Sequence, residues 1–267
     1  MRLTISHTTH YKYDAPVRYG LSRLRLTPTS DACQTVLSWK TEIVGGKKEV
    51  GYFDQFHNPV ELVSLDPDAQ EIHVRCEGEV ETRDRAGVVG EHAGFAPLWL
   101  FRRTTPLTAP GPLLTELVRE LGPPTGDTLA SLHALCALIA ERVVYRAGQT
   151  SSASSVEEVL TTGHGVCQDH AHVFLSAVRV LGLPGRYASG YLMMDDRVEQ
   201  DASHAWAEAY VKGLGWVGFD VSNAICPDDR YVRVATGLDY HDAAPISGMR
   251  LGASSESMVV AVQVSEQ

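Results

Sequence analysis

The apolar period of this chain changes once, and the place where it changes limits the fold. In the opening stretch "RLTISHTTHYKYD", Leu3, Ile5, Thr9, Tyr11 and Tyr13 fall on alternate positions, opposite Arg2, Thr4, Ser6, His10 and Lys12. A period of two belongs to a half-buried strand. "QTVLSWKTEIV" alternates through Leu37, Trp39 and Ile43, and "YFDQFHNPVELVSL" reads as two strands around a turn at His57-Asn58-Pro59. "EIHVRCEGEV" supplies another strand. Residues 1–82 therefore read as an antiparallel β domain.

From Arg83 to Gly111 the pattern dissolves into charge, Gly and Pro, a connector over 83–111. Helical spacing then takes over. "DTLASLHALCALIAERVVY" offers Asp127 as N-cap and Leu132, Leu135, Cys136 and Ile139 on one face. Ser155 and Glu158 stand in capping-box register before a short helix. In "AHVFLSAVRVLGLPGRY", Ala171, Phe174, Leu175 and Val178 form a stripe that Gly182 and Pro184 terminate. Four strand-like segments follow, "RYASGYLMM", "SHAWAEAYV", "GWVGFDVSN" and "RYVRVATG", with "MVVAVQV" as a last strand. Helices followed by an antiparallel run give an α+β second unit over 112–267.

The chain of 267 residues is long enough for two such units. Its net charge of -10 disfavours a phosphate backbone as partner, so no nucleic-acid binding is expected. No run of about 18 apolar residues is present, and "MRLTISHTTHYKYD" lacks an export leader's apolar region. A cytoplasmic protein without a membrane partner is expected. The five cysteines (Cys33, Cys76, Cys136, Cys167 and Cys226) are odd in number and scattered, which favours reduced thiols. Four of them read as packing.

Cys167 is the exception. Steps of four and seven residues lead from it to Ala171 and Phe174, so it faces inward at the first turn of a helix, just after Gly163 and Gly165. There the macrodipole and the unpaired N–H groups favour thiolate, and the thiolate is the nucleophile. The same N–H groups suit an oxyanion. The glycines would let a substrate approach.

A nucleophile needs a base. His204 opens "SHAWAEAYV" and Asp220 lies in "GWVGFDV", 220 − 204 = 16 residues on. A hairpin with a three-residue loop around Lys212 or Gly213 places His204 opposite Asp220 or one diagonal away. A carboxylate there orients the imidazole. A bulge or a four-residue loop would break the geometry.

Simpler readings compete. His164, Cys167, His170 and His172 are crowded enough to suggest zinc, yet no paired CxxC or HExxH spacing exists, and His172 points away from Cys167 on a helix. No metal and no cofactor are expected, and His170 and His172 read as helix-surface or capping histidines. Cys167 could be a core cysteine, His204 a satisfied strand histidine and Asp220 a turn acid.

Three blocks, "GHGVCQDHAHVFLSAVRVLGLPGRYASGYL", "SHAWAEAYVKGLGWVGFDVSN" and "RYVRVATGLDY", in that order, resemble the bacterial transglutaminase-like family. "ISHTTHYKYDAPV" followed by "LRLTP" is similar to the β domain preceding the core in many members. The resemblance implies a papain-like cysteine-protease core with Cys167 as nucleophile, His204 as base, Asp220 as orienter and Asp169 in a structural role. It implies an acyl-thioester formed from an amide, resolved by water in a peptidase or amidase and by an amine in an acyltransferase. A protein or peptide substrate is the expected partner, and the sequence leaves open whether the chain forms a homo-oligomer. Tyr145, Tyr191, Trp206 and Trp216 are candidates for the cleft walls, the two tryptophans being most simply core. Tyr145 and Gln168 are candidates for a second oxyanion donor. The alternative is a catalytically silent scaffold whose β domain holds a partner.

Overall fold

The structure, a computed structural model, describes residues 1–122, 126–195, 197–252 and 255–267. Two antiparallel sheets make up the first unit. One has the strand order Glu199–Gln200, Glu256–Glu266, Arg2–Val17, Ala69–Thr82, Gln34–Val44; the other runs Ile246–Leu251, Tyr19–Leu24, Pro59–Leu65, Gly46–Phe53. The opening alternation does what its period implies. Leu3, Ile5, His7 and Thr9 are buried, and Arg2, at the strand's start, is exposed. Val17, Leu24, Val63, Ile72 and Val74 fill the space between the sheets. Leu37 departs from the expected alternation: a register shift between Val36 and Ser38 turns it outward, 46% exposed. The extra residue of a bulge reverses the phase, and phase is all that alternation encodes.

The second unit is an antiparallel sheet in the order Tyr231–Gly237, Gly185–Leu192, His204–Val211, Gly215–Phe219, Val88–Gly90. Helix α4 (Cys167–Val180) packs on it, α1 (Pro112–Leu121), α2 (Thr128–Arg142) and α3 (Val156–Thr162) pack around α4, and a short α5 (Tyr240–Ala243) lies beside the sheet. The Asp127 carboxylate accepts the N–H groups of Leu129 and Ala130, and Ser155 and Glu158 cap α3 reciprocally. Caps of this kind contribute about 1 kcal/mol each. Helix α1, which the connector reading stops short of, starts at Pro112 with no side-chain cap of its own. The Glu157 carboxylate of α3 instead accepts the N–H groups of Leu113 and Leu114. A cap borrowed from more than 40 residues downstream leaves no local signal.

Two boundaries differ from the sequence expectation. Ile246–Leu251 and Glu256–Glu266 lie in the range expected for the second unit, yet they pair with Tyr19–Leu24 and Arg2–Val17 in the sheets of the first. The connector is also structured: Val88–Gly90 adds an edge strand to the second sheet, and Phe101 packs edge-on against Trp216. Among the described residues no helix is long and apolar enough to cross a membrane.

The sheet face turned away from α4 carries a buried ion cluster. Glu208 is 1% exposed; it accepts from Arg186 Nε at 2.6 Å and lies 3.6 Å from Arg233, which also pairs with Asp31. Burial lowers Arg186 to about 10 despite the adjoining Glu208 carboxylate. Glu208→Ala leaves two buried guanidinium groups without their shared carboxylate. Urea unfolding is expected to show a loss of about 3–5 kcal/mol; an unchanged midpoint would contradict that account of the cluster.

Candidate active site

The cleft begins where α3 ends. Gly163 adopts the left-handed conformation (φ 65°) that closes α3, and Val144–Tyr145 pairs in parallel with His164–Gly165. Gly165 is required by close approach: a Cβ there would lie 2.7 Å from that of Asp169. These glycines thus turn the chain and seat the next helix. Asp169, buried, accepts the Val166 N–H at 2.8 Å and the Thr150 hydroxyl at 2.6 Å through the same oxygen. It ties the start of α4 down. Val166 occupies the N-cap position, and no side chain caps the helix. Cys167 is the first residue of α4, half-buried, with the N–H groups of the first turn beside it.

His204 starts the strand next to the hairpin. Val211 pairs with Gly215 and Ala207 with Phe219, so the loop is the three residues Lys212, Gly213 and Leu214. Continued, that register sets Asp220 opposite Trp206, one diagonal from His204. His204 Nε2 and Asp220 Oδ2 are 2.6 Å apart. Cys167 lines the same cleft as the ring and is among the groups that raise its pKa. Burial works against an imidazolium here, but the bonds to Asp220 and Cys167 and the charges of both outweigh it, raising His204 to about 10.

Asp220 is 1% exposed and saturated with donors. Its oxygens accept from the Tyr231 hydroxyl at 2.7 Å, Asn223 Nδ2 at 2.7 Å and the Ser222 N–H at 3.0 Å, besides His204. Burial pushes its pKa up, and the His204, Asn223 and Tyr231 bonds more than reverse that, leaving it below the ordinary value. Tyr231 and Asn223 escaped the sequence reading. Asn223, three residues beyond Asp220 in "DVSN", offered a local signal; Tyr231 comes from another strand and offered none.

A cleft of about 830 Å³ opens over the sulfur. Cys167, Gln168, Tyr145 and His204 line one side, and Tyr11, Met258 and Val260 of the first unit line the other. Tyr145 is 55% exposed, and burial together with the neighbouring Cys167 and Asp220 raises its pKa. The Gln168 side-chain amide donates to the Ser152 carbonyl at 3.3 Å, which directs it away from the oxyanion role considered for it.

Tyr191, a candidate for the cleft wall, lies elsewhere, and the two tryptophans take the core positions that are their simpler reading. Trp216 is fully buried, bonded through Nε1 to His92 Nδ1 at 3.1 Å, with Arg186 4.3 Å over its ring. Trp206 is core and stacks against His204, ring centroids 6.3 Å apart. Tyr191 is buried, its hydroxyl 2.9 Å from His7 Nδ1. Strand alternation explains the tryptophans: Ala205, Ala207 and Ala209 take the face toward the helices, leaving the opposite face to Trp206 and Glu208.

His170 and His172 also correct the expectation of surface positions, being 2% and 1% exposed. Helix α4 is buried from Asp169 to Arg179, because α1, α2 and α3 cover the side that the sheet does not. His170 is 2.7 Å from the Ser222 hydroxyl and 2.9 Å from the Val143 carbonyl, and His172 Nε2 accepts the Tyr240 N–H. Burial depresses both, His172 to about 4. Both ring nitrogens of His170 are thus engaged, whereas His172 Nδ1 is buried without a hydrogen-bond partner. On the outer face of the first sheet, His10, Glu71 and His73 bring ligand atoms within 4.8 Å, but the two rings stack at 3.7 Å and 17°, so their lone pairs run parallel rather than converge.

Comparison with known proteins agrees with this architecture. Residues 115–221 match the model of the transglutaminase-like superfamily, and residues 3–81 match that of the bacterial transglutaminase-like N-terminal region. An uncharacterised protein of Mycobacterium leprae is 29% identical over 98% of both chains. One from Mycobacterium bovis is 27% identical over 98% of this chain and 91% of its own. A crystal structure from Cytophaga hutchinsonii, of a protein proposed to be a cysteine protease, superposes with a TM-score of 0.79 at 20% identity, over 99% of this chain and 90% of that one. At that identity the likeness speaks for the fold.

Proposed function

The chain belongs to the transglutaminase-like superfamily, with the bacterial N-terminal region in front, and on that footing we propose that it is a cysteine enzyme cleaving amide bonds through an acyl-thioester. The observation that carries this reading is the His204–Asp220 hydrogen bond in a cleft that His204 lines together with Cys167. The Cys167 sulfur attacks the amide carbon, and the carbonyl oxygen takes up negative charge against the uncapped N–H groups of α4. His204 then delivers its proton to the departing amine, and the thioester forms as the C–N bond breaks. Water or a second amine attacks the thioester, returning its proton to His204 and releasing the sulfur. Asp220 keeps one ring nitrogen engaged and stabilises the imidazolium throughout. Water is the simplest acceptor in an open cleft, so hydrolysis of a protein or peptide amide is the preferred outcome.

A silent scaffold would need none of these bonds, and the saturation of Asp220 argues for retained chemistry. All five thiols are free, which supports a reducing cytoplasmic compartment. The acidic balance argues against nucleic acid as partner.

Iodoacetamide labelling followed by peptide mass spectrometry tests the reading. At pH 6 Cys167 is expected to label at least about tenfold faster in wild type than in His204→Ala. Equal rates in the two proteins would dissolve the pairing.

A further inference from the structure

The strand Glu256–Glu266 has two edges. One pairs with Arg2–Val17 from Leu3↔Glu266 to Tyr13↔Glu256 without a register shift. Glu199–Gln200 covers the other edge only at Gln263 and Val262, extended by the Val264 N–H bond to the Val198 carbonyl. Toward the start of the strand no further strand lies on that edge among the described residues. The Gln267 N–H bonds to Arg2 and the Val264 N–H bonds the other way, so even-numbered residues direct their backbone groups at the uncovered edge. Met258 and Val260 are the residues so placed. Proteins blunt such edges with Lys, Pro or a bulge; "SMVVA" has none of these.

The edge borders the cleft: Met258, 54% exposed, and the half-buried Val260 line the same cavity as Cys167 and His204. We infer that the uncovered edge at Met258–Val260 binds the substrate, an extended polypeptide segment added as a strand in line with Glu199–Gln200, and so delivers it to Cys167. This rests on the nucleophile reading of Cys167. A single strand is the occupant that fits. Strands pair at about 4.8 Å, and a cavity of this size takes a short peptide, whereas the edge of a second copy would have to bring its neighbouring strands into the cleft. Backbone bonds supply the register, and alternate side chains meet Met258, Val260, Tyr11 and Leu192, which selects apolar residues.

The test uses acetyl-Ala-Val-Leu-Gly chloromethyl ketone on the full chain. The Cys167 sulfur displaces chloride, forming a thioether as the C–Cl bond breaks, and the thiol proton leaves through His204. A twin probe carries N-methyl groups on Val and Leu; it keeps the warhead and side chains but cannot complete a strand ladder. Labelling of wild type by the twin is expected to be about tenfold slower, the worth of one or two lost hydrogen bonds. Val260→Pro removes an N–H that faces the open edge and no bond to the first strand. It is expected to slow the unmethylated probe to the rate of its twin while iodoacetamide labelling stays at the wild-type rate. Equal rates for both probes in wild type, with normal iodoacetamide labelling, would overturn strand addition and leave the nucleophile standing. A difference that survives Val260→Pro would overturn this edge as the site. A concentration-dependent dimer in wild type that Val260→Pro abolishes would make a second copy the occupant. Failure of iodoacetamide to label Cys167 at all would overturn the nucleophile reading first. Should Val260→Pro not fold, the paired probes on wild type still decide.

Discussion

Cys167→Ala is expected to fold normally and to show no measurable turnover of a peptidyl aminocoumarin amide. The two halves of that result have separate physical causes. Cys167 is half-buried at the first position of α4, where its side chain packs only at the margin of the core. Asp169 and Thr150 hold the helix start, and neither touches the sulfur in doing so. Loss of one sulfur atom at such a site costs about 1 kcal/mol or less, so the melting temperature is expected to stay within a few degrees. Turnover needs an atom that forms and releases an acyl bond, and alanine has none. Removal of a nucleophile of this kind lowers kcat by about 10⁶-fold. Hydrolysis by the variant at even a hundredth of the wild-type rate would end the assignment.

Asp220→Asn is expected to lower kcat by about 10³–10⁴-fold with less change in KM. The carboxylate takes bonds from His204, Tyr231, Asn223 and the Ser222 N–H, all of them donors. An amide at this position sets its own NH₂ against one or more of those donors and carries no charge to hold the imidazolium. The pH profile separates this from simple misfolding. His204 is raised above its ordinary 6.5, to about 10, chiefly through bonds to Asp220 and Cys167 that overcome burial. A raised folded pKa means that its stabilisation is fully present below 6.5 and is lost as pH rises toward 10. The alkaline limb of kcat/KM, set by loss of that proton, is therefore expected to move to lower pH in the variant. A proportionate fall in activity with an unmoved limb would assign Asp220 to structure only.

Local physics made much of the second unit legible. Asp127, Ser155 and Glu158 act as caps because capping depends on residues three or fewer apart. The diagonal between His204 and Asp220 follows from an even separation, readable in the chain, and a three-residue loop, one of several lengths the sequence allowed and the one the structure adopts. Leu37 was misplaced because one bulge inverts the phase, and α1 was missed because Glu157, from a later helix, caps it. His170 and His172 seemed exposed because a stripe calculation assumes one covered face, whereas α4 is enclosed on all sides. Tyr191 is core rather than cleft wall, because aromatic type says nothing about which face of a sheet a residue takes.

By itself, the sequence determined the period of most elements, the caps of α2 and α3, the position of Cys167 at a helix start and the even separation that allows a hairpin to bring Asp220 to His204. All of these depend on interactions between near neighbours in the chain. The tertiary structure alone decided that Glu256–Glu266 returns to pair with Arg2–Val17, that Tyr231 reaches Asp220 from another strand, and that Tyr11, Met258 and Val260 line the same cleft as Cys167. A strand's alternation fixes which of its faces is buried but not which edge it joins, because backbone hydrogen bonds are alike along every strand. Choice of partner falls to the packing of the whole chain, and with it the wall opposite the nucleophile.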